Sequence, residues 1–165
     1  MKLKHVFSHI SAKVAMLVTL CVFSFSSCEN NACKEPMSSM MKISFYQRQK
    51  PQGAISFPQF TINPVKNGKL LAAIYDTIGL SAIELPLDPS DTISRFFIVS
   101  EVVRDTLVVY HNNTDEFVSA ECGARTTSRL DSVFFWGGHF EDSISIVNPK
   151  VNGAFNVQNV KIYFD

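Results

Sequence analysis

The amino-acid sequence predicts an all-β protein: a single antiparallel β-sandwich, immunoglobulin-like in general layout, preceded by a cleaved signal peptide. Two observations predict the sandwich, since apolar residues alternate with a period of two in many short runs, and turn residues separate those runs. No stretch longer than a few residues keeps the apolar period of a helix. The 14 phenylalanines and the many β-branched residues also favour strands, because such side chains pack well on a pleated surface.

The predicted strands, roughly seven to nine of them, form one domain over residues 41–165. Alternation of apolar and polar residues marks four of them, at residues 43–46, 60–63, 143–146 and 160–164. The run at residues 106–111 is apolar on both faces, which predicts a strand near the centre of the core.

Turn-forming residues predict the connections between these strands. They occur at residues 51–53, 67–68, 88–90, 111–113, 137–138 and 152–153. Arg104-Asp105 lies between the apolar runs 96–103 and 106–110, and it predicts the turn of a hairpin although it lacks the Asn-Gly signature.

Residues 1–27 have the features of a lipoprotein signal peptide. Lys2, Lys4 and Lys13 accompany an apolar run of about a dozen residues, shorter than the ~20 residues of a membrane-spanning helix. The end of the segment, Phe25-Ser26-Ser27-Cys28, resembles the lipobox cut by the lipoprotein signal peptidase. We therefore expect lipid chains such as palmitate on Cys28. An ordinary secretory signal, cut at a small residue, is the alternative.

This anchor predicts a protein of the cell envelope of a Gram-negative-type bacterium, with residues 28–40 as the lipidated N-terminus and short tether. Only Glu29 matches the acidic run that marks surface-exported lipoproteins in some bacteria, so we expect the periplasmic face of the outer membrane. Removal of the signal segment leaves 12 basic and 15 acidic side chains. A mildly acidic domain without a basic cluster gives no reason to expect a nucleic-acid partner.

Four cysteines occur in the chain. Cys21 leaves with the signal and Cys28 carries the lipid, so Cys33 and Cys122 remain as a pair in an oxidising compartment. We expect a disulfide that closes a loop of about 90 residues and contributes on the order of 4–5 kcal/mol in the chain-entropy model. Two free thiols are the alternative. Because at most about 18 Å of chain separates Cys33 from Cys28, the bridge would hold the domain close to the membrane.

Several short segments resemble one family when they are taken in order. They are residues 84–89 (ELPLDP), 91–96 (DTISRF), 105–107 (DTL), 117–123 (FVSAECG), 146–152 (IVNPKVN) and 159–164 (NVKIYF). Together they resemble the lipoproteins of domain of unknown function 6452, from about Cys33 onward. The resemblance implies an early cysteine and a Cys-Gly pair, matching Cys33 and Cys122-Gly123, and so supports the bridge. It implies no activity and no catalytic residue.

The sequence offers little for catalysis. Outside the signal segment the histidines are His111, expected at the surface or rim of a strand end, and His139, expected in a short turn beside Glu141 and Asp142. No Gly-x-Ser-x-Gly motif and no glycine-rich phosphate-binding loop occurs. We therefore predict no catalytic residue and no cofactor.

Metal binding is weakly indicated at two loops. Asp88, Ser90 and Asp91 offer oxygen ligands for calcium, but their spacing is not that of an EF-hand, and a turn capped by aspartate is the simpler interpretation. The loop at residues 136–142 contains one imidazole and two carboxylates, which a solvated turn also explains. We predict no metal site.

A triplet of Asp, Thr or Ser, and an aliphatic residue recurs five times. Some envelope proteins are O-glycosylated at such triplets, so candidate glycosylation sites are Thr77, Thr92, Thr106, Ser132 and Ser143. The alternative is strand chemistry, in which Asp ends a turn and the aliphatic residue is the first to face inward.

The aromatic run Phe134-Phe135-Trp136 cannot face the core with every side chain, because successive residues of a strand point to opposite faces. At least one ring is expected on the second face, at a rim or against a partner.

From these features we expect a non-catalytic accessory or structural lipoprotein, attached to the membrane through Cys28, that binds another envelope protein or a glycan. A small-ligand binder for glycan or calcium is the alternative, and an enzyme is the second. A broad flat apolar patch would favour the protein partner, and a concave aromatic or acidic pocket the small ligand. An enzyme would need His111 or His139 buried beside a carboxylate.

Overall fold

Twelve strands and no helix make up the part of the chain that the computed structural model describes. The described residues are 39–56, 59–101, 104–120, 122–137, 144–153 and 157–164, without the side chains of residues 50–52. The signal segment 1–27, Cys28, Cys33, His139 and Ser143 lie outside them.

The strands of the described part are numbered in chain order. They are β1 (Met40–Gln47), β2 (Lys50–Ala54), β3 (Phe60–Lys66), β4 (Lys69–Leu70), β5 (Tyr75–Thr77), β6 (Ala82–Pro86), β7 (Ile93–Ser100), β8 (Arg104–Ser119), β9 (Gly123–Phe135), β10 (Ile144–Ile146), β11 (Lys150–Val151) and β12 (Val160–Phe164).

The smaller sheet has five strands in the order β10-β12-β1-β2, and β6 also pairs with β1. β1 therefore has β12 on one edge and shares its other edge between β6 and β2. The β1–β12 pair is parallel, with Ile43 opposite Val160 and Phe45 opposite Ile162. Every other described pair is antiparallel, so this first-to-last contact is the one departure from the antiparallel arrangement that the sequence predicts.

The larger sheet has seven strands in the order β11-β9-β8-β7-β3-β4, and β5 also pairs with β3. β8 and β9 form a long hairpin at its centre. Register shifts occur between Tyr110 and His111, and between Phe117 and Ser119. Such irregularities mark β-bulges, which add a residue to one strand and increase its twist.

The core lies between the inner faces of the two sheets. Ile43 and Ile162 of the small sheet and Ile62 and Leu107 of the large sheet are fully buried. The Phe45 ring meets the Phe60 ring edge-on, with centroids 6.1 Å apart. Burial of these side chains supplies the main stabilisation of the sandwich, at roughly 1.5–3 kcal/mol for each large apolar residue.

The all-β sandwich is confirmed, and so is the turn at Asn67-Gly68, where both residues have positive φ values of 52° and 71°. That conformation is the one that favours Asn-Gly in tight hairpins.

Three predicted turns are wrong. Residues 51–53 lie inside β2 and residues 111–113 inside β8, while Arg104-Asp105 pairs with Val99 and Ile98. The β7–β8 hairpin exists, but it turns before Arg104. The turn-forming residues adopt strand conformation in these places, because pairing with a neighbouring strand satisfies their backbone hydrogen-bonding groups.

Candidate functional site

The outer face of the seven-stranded sheet carries aromatic side chains on neighbouring strands. Strand alternation directs Phe97 of β7, Val108 and Tyr110 of β8, and Phe134 of β9 away from the core. The Tyr110 and Phe134 rings stack with centroids 5.9 Å apart and an interplanar angle of 18°. Trp136 follows β9 and is 72% exposed. We call these five residues the outer aromatic face.

Val108 shows how this face is packed. It has no exposed surface, although it points away from the core between Arg95 and Phe134, its partners on the neighbouring strands. The side chains around it must therefore cover it. Tyr110 and Phe134 remain more than a third exposed, so part of each stacked ring is open to solvent.

A buried carboxylate fixes the turn that presents Trp136. Oδ1 of Asp105 accepts the N–H of Thr106 at 2.6 Å and the N–H of Gly137 at 2.8 Å. The Trp136 N–H donates to the Thr106 carbonyl at 2.9 Å. A Cβ atom on Gly137 would lie 2.7 Å from Oδ2 of Asp105, so any other residue here would displace the carboxylate or the turn.

A chain of hydrogen bonds between buried polar side chains joins β7 to β8. Oγ of Ser94 lies 2.9 Å from Nε2 of His111, and Nδ1 of His111 lies 2.9 Å from Oδ1 of Asn113. Nδ2 of Asn113 donates to the carbonyls of Asp88 and Asp91. Since the amide nitrogen has these acceptors, Oδ1 faces His111 and the ring donates through Nδ1. His111 is 1% exposed, so the expected surface or rim position is wrong.

The order hydroxyl, imidazole, amide resembles the nucleophile, base and orienting group of some acyl-transfer enzymes. Here the neighbour of His111 is the amide of Asn113 and not a carboxylate. Ser94 is 5% exposed, and its Oγ accepts the Asp88 N–H at 2.9 Å. Ser128 completes the chain by donating to Oδ1 of Asn113 at 2.7 Å. A closed set of partners is typical of a structural brace, and this one holds the β6–β7 connection against β8.

A cavity of about 520 Å³ lies between the β3–β4 hairpin and the β6–β7 connection. Its polar wall residues include Lys66, Asp88, Asp91 and Arg95. Nζ of Lys66 is 2.7 Å from Oδ2 of Asp88, so an ion pair joins the two walls. The hydrogen bond with Lys66, followed by that from the Ser90 N–H, lowers the pKa of the Asp88 carboxyl. The same hydrogen bond raises the pKa of Lys66.

In the loop considered for calcium, both carboxylate oxygens of Asp88 and one of Asp91 contact protein groups. Oδ1 of Asp88 accepts the Ser90 N–H and Oδ2 pairs with Lys66. Oδ1 of Asp91 accepts the backbone N–H groups of Thr92 and Ile93. These contacts are those of the aspartate-capped turn. Within the described ranges, no group of three or more His, Cys, Asp or Glu side chains is arranged to hold a metal ion.

The model of a family of unknown function, DUF6452, matches residues 60–164, which is more than half of the chain. The chain belongs to the DUF6452 family. No curated protein and no solved structure matches it. The matched segment of this DUF6452 protein begins at β3 and includes the outer aromatic face and the cavity, whereas β1, β2 and Cys33 precede it.

Two of the candidate glycosylation sites of the DUF6452 chain lie on the outer aromatic face. Thr106 is opposite Phe97, and Ser132 is opposite Tyr110. Thr77 is in β5, and Thr92 is exposed before β7. The aspartates before these hydroxyl residues bond to protein groups: Asp76 to Thr61, Asp91 and Asp105 to backbone N–H groups, and Asp131 to Asn112. Glycosylation of the hydroxyls stays a prediction.

Cys122 lies in the turn between β8 and β9 and is disulfide-bonded. Its partner lies outside the described residues, so the pairing of Cys122 with Cys33 stays a prediction. None of the described residues belongs to a helix long and apolar enough to cross a membrane.

The sequence showed part of this site and missed the rest. The run at residues 134–136 was expected to split between two faces, and Phe135 is 5% exposed between two exposed rings. Tyr110 was missed, because its partner Phe134 is 24 positions away and pairs with it only through the hairpin register. The glycine after Trp136 was the signal for the close approach of Asp105.

Proposed function

We propose that this DUF6452 protein is a non-catalytic, lipid-anchored protein of the bacterial envelope that binds another envelope protein through its outer aromatic face. The observation that carries the proposal is the exposure of the stacked Tyr110 and Phe134 rings, with Trp136 exposed just after the same strand. Aromatic side chains are enriched at protein interfaces, where they dominate the binding energy.

The fixed position of Trp136 supports this role. An exposed side chain on a mobile loop loses conformational entropy when it binds, whereas a ring held by a braced turn loses less. The Asp105–Gly137 contact is such a brace, because the buried Asp105 carboxylate accepts the Gly137 N–H and so orients the turn.

Site-specific photo-crosslinking in the native envelope tests the binding face. We expect a crosslinker at Trp136 to give one discrete protein adduct, and the additional change Tyr110→Ser to remove it. Ile78 is the matched control, because it is 68% exposed and lies beside β5 at the edge of the sheet. Equal adducts from both positions would mean that the aromatic face has no particular partner.

The anchor is tested separately by the intact mass of membrane-extracted protein, measured with and without reductant. We expect a mature chain beginning at a lipidated Cys28, and a gain of two hydrogens on reduction of Cys33–Cys122. Sugar mass would identify the Asp-Thr/Ser triplets as modified. An unlipidated chain would contradict the membrane attachment.

A second candidate function is a small-ligand site in the cavity beside Lys66. Its volume falls in the usual range of ligand sites, roughly 300–1,000 Å³, and its walls offer charged and apolar groups together. Titration with soluble glycans, followed by NMR of the backbone amides, tests it. Shifts confined to residues 66–71 and 86–96, and absent in Lys66→Ala, would favour a ligand site over the outer aromatic face. Calcium in the same titration is expected to give no shift.

A further inference from the structure

The β8–β9 hairpin continues past its pairing with β7 and β11 as a two-stranded ribbon. β7 pairs with β8 only as far as Tyr110, and β11 pairs with β9 only at Ser128 and Arg129. The ribbon comprises residues 114–119 and 123–127, and no described strand pairs with its outer edges. At about 3.3 Å for each residue, it extends roughly 20 Å past the last shared hydrogen bonds.

Phe117 stands near the end of this ribbon and is 71% exposed. It lies opposite Ala124, one pair before the turn that contains Cys122. Its neighbours include the small Ala124 opposite it and the polar Glu116 before it, and most of the ring stays open to solvent. One exposed ring is common on a protein surface. This one is distinguished by its position beside the turn that contains the disulfide-bonded Cys122.

The residue before β1 is hydrogen-bonded to the ribbon, and the predicted disulfide would attach Cys33 to the ribbon turn. Oγ of Ser39, just before β1, donates to the carbonyl of Thr126 in the ribbon at 2.7 Å. Cys122 is disulfide-bonded at the ribbon turn, and Cys33 is its predicted partner. Since Cys33 is at most about 18 Å of chain from Cys28, and bridged Cα atoms lie about 6 Å apart, Cys122 would be within about 24 Å of the lipidated residue.

We propose that the tip of the ribbon, with Phe117 foremost, rests on the lipid surface that holds Cys28. This rests on the proposed lipid anchor and specifies how the anchored domain stands. The aromatic ring would occupy the headgroup region, where amphipathic and aromatic side chains accumulate. Trp136 is 12 residues along β9 from Ala124, about 40 Å at strand spacing, so it would point away from the membrane.

The charges of the ribbon indicate whether its contact with lipid would be electrostatic or apolar. Glu116 pairs with Arg125 at 3.3 Å, and Asp115 accepts a hydrogen bond from Thr126 at 2.8 Å. With one basic and two acidic side chains, the ribbon has no positive field to attract anionic lipid. Contact would therefore depend on the apolar ring and would change little with the anionic lipid content or with salt.

Fluorescence quenching by brominated lipid tests the proposal in the full lipidated protein. The natural chain has a single tryptophan, Trp136, which serves as the matched control. The test variant is Phe117→Trp combined with Trp136→Phe. Each protein is reconstituted in vesicles of phosphatidylethanolamine and phosphatidylglycerol, with and without brominated phosphatidylcholine, and its binding to the vesicles is confirmed by flotation.

We expect the emission of the position-117 tryptophan to fall by about half or more in brominated vesicles and to shift to shorter wavelength, as for a ring at the membrane interface. The Trp136 emission should stay unchanged. Flotation without quenching at position 117, or quenching at Trp136 instead, would overturn the orientation and leave the anchor intact. Failure of the natural protein to float would overturn the anchor and the orientation together.

Discussion

The two halves of the β8–β9 hairpin are made by the same pair of strands, yet they lie in different surroundings. In the inner half, Leu107, Val108 and Val109 have no exposed surface. In the ribbon, Phe117 is 71% exposed, and the cross-strand contacts are polar. Strand pairing therefore continues past the hydrophobic core, and the Phe117 ring at the far end of the hairpin stays open to other molecules.

The largest expected change in stability comes from a substitution in the inner half. Leu107→Ala should lower the free energy of unfolding by about 2–5 kcal/mol, because it opens a cavity in a closely packed core. Phe117→Ala, a truncation of larger volume, should change it by no more than about 0.5 kcal/mol. Urea denaturation of the two variants measures the difference. Equal losses would mean that the ribbon is packed as tightly as the core.

His111 lies at the boundary between the two halves, where it is hydrogen-bonded to Ser94 and Asn113. His111→Ala should cost about 2–4 kcal/mol, since it removes a buried ring and leaves Ser94 and Asn113 without their partner. Hydrogen exchange should also quicken at the amide of Asp88, which donates to Oγ of Ser94 in this chain. Asn112→Ala, at an exposed neighbouring site, is the control and should cost less than about 1 kcal/mol. Unchanged exchange in His111→Ala would show that the β6–β7 connection is held by other contacts.

A smaller effect is expected at the inner end of β9. Gly137→Ala should destabilise the protein by about 1–3 kcal/mol, because its Cβ atom meets the Asp105 carboxylate. Trp136 should report the shift as a change in its emission maximum. Gly53→Ala, where nothing lies within 4 Å of the new atom, should be close to neutral. A stable Gly137→Ala protein with unchanged emission would mean that the turn does not position Trp136.

The smallest expected effect concerns the ion pair at the cavity. The Asp88 pKa is lowered in the folded protein, so the pair stabilises it above the ordinary pKa of 3.8, and this contribution is lost as pH falls through the folded value. The Lys66 pKa is raised, so its contribution is present below 10.5 and lost at more alkaline pH. Lys66→Met should flatten both limbs of the stability profile. A profile identical to that of the natural protein would mean that solvent screens the pair fully.

Much of the fold could be predicted, because alternation and turn residues are local signals. Ile43 and Phe45 face the core, as their alternation indicated, and Asn67-Gly68 is a turn. The turns expected at 51–53 and 111–113 were wrong for one reason: local preference is worth less than the hydrogen bonds of a paired strand. The parallel pairing of β1 with β12 joins segments more than 100 residues apart, and no local pattern reports such a contact.

The sequence by itself determined the all-β class, the inward positions and the family, since each depends on residue type and spacing along the chain. Tertiary structure alone decided that His111 is buried, that Asp105 braces the turn after Trp136, and that Tyr110 stacks on Phe134. These features depend on which strands become neighbours and in which register. Register across a hairpin, and not the order of residues, brings distant aromatic rings to one face and leaves Phe117 beyond the edge of the core.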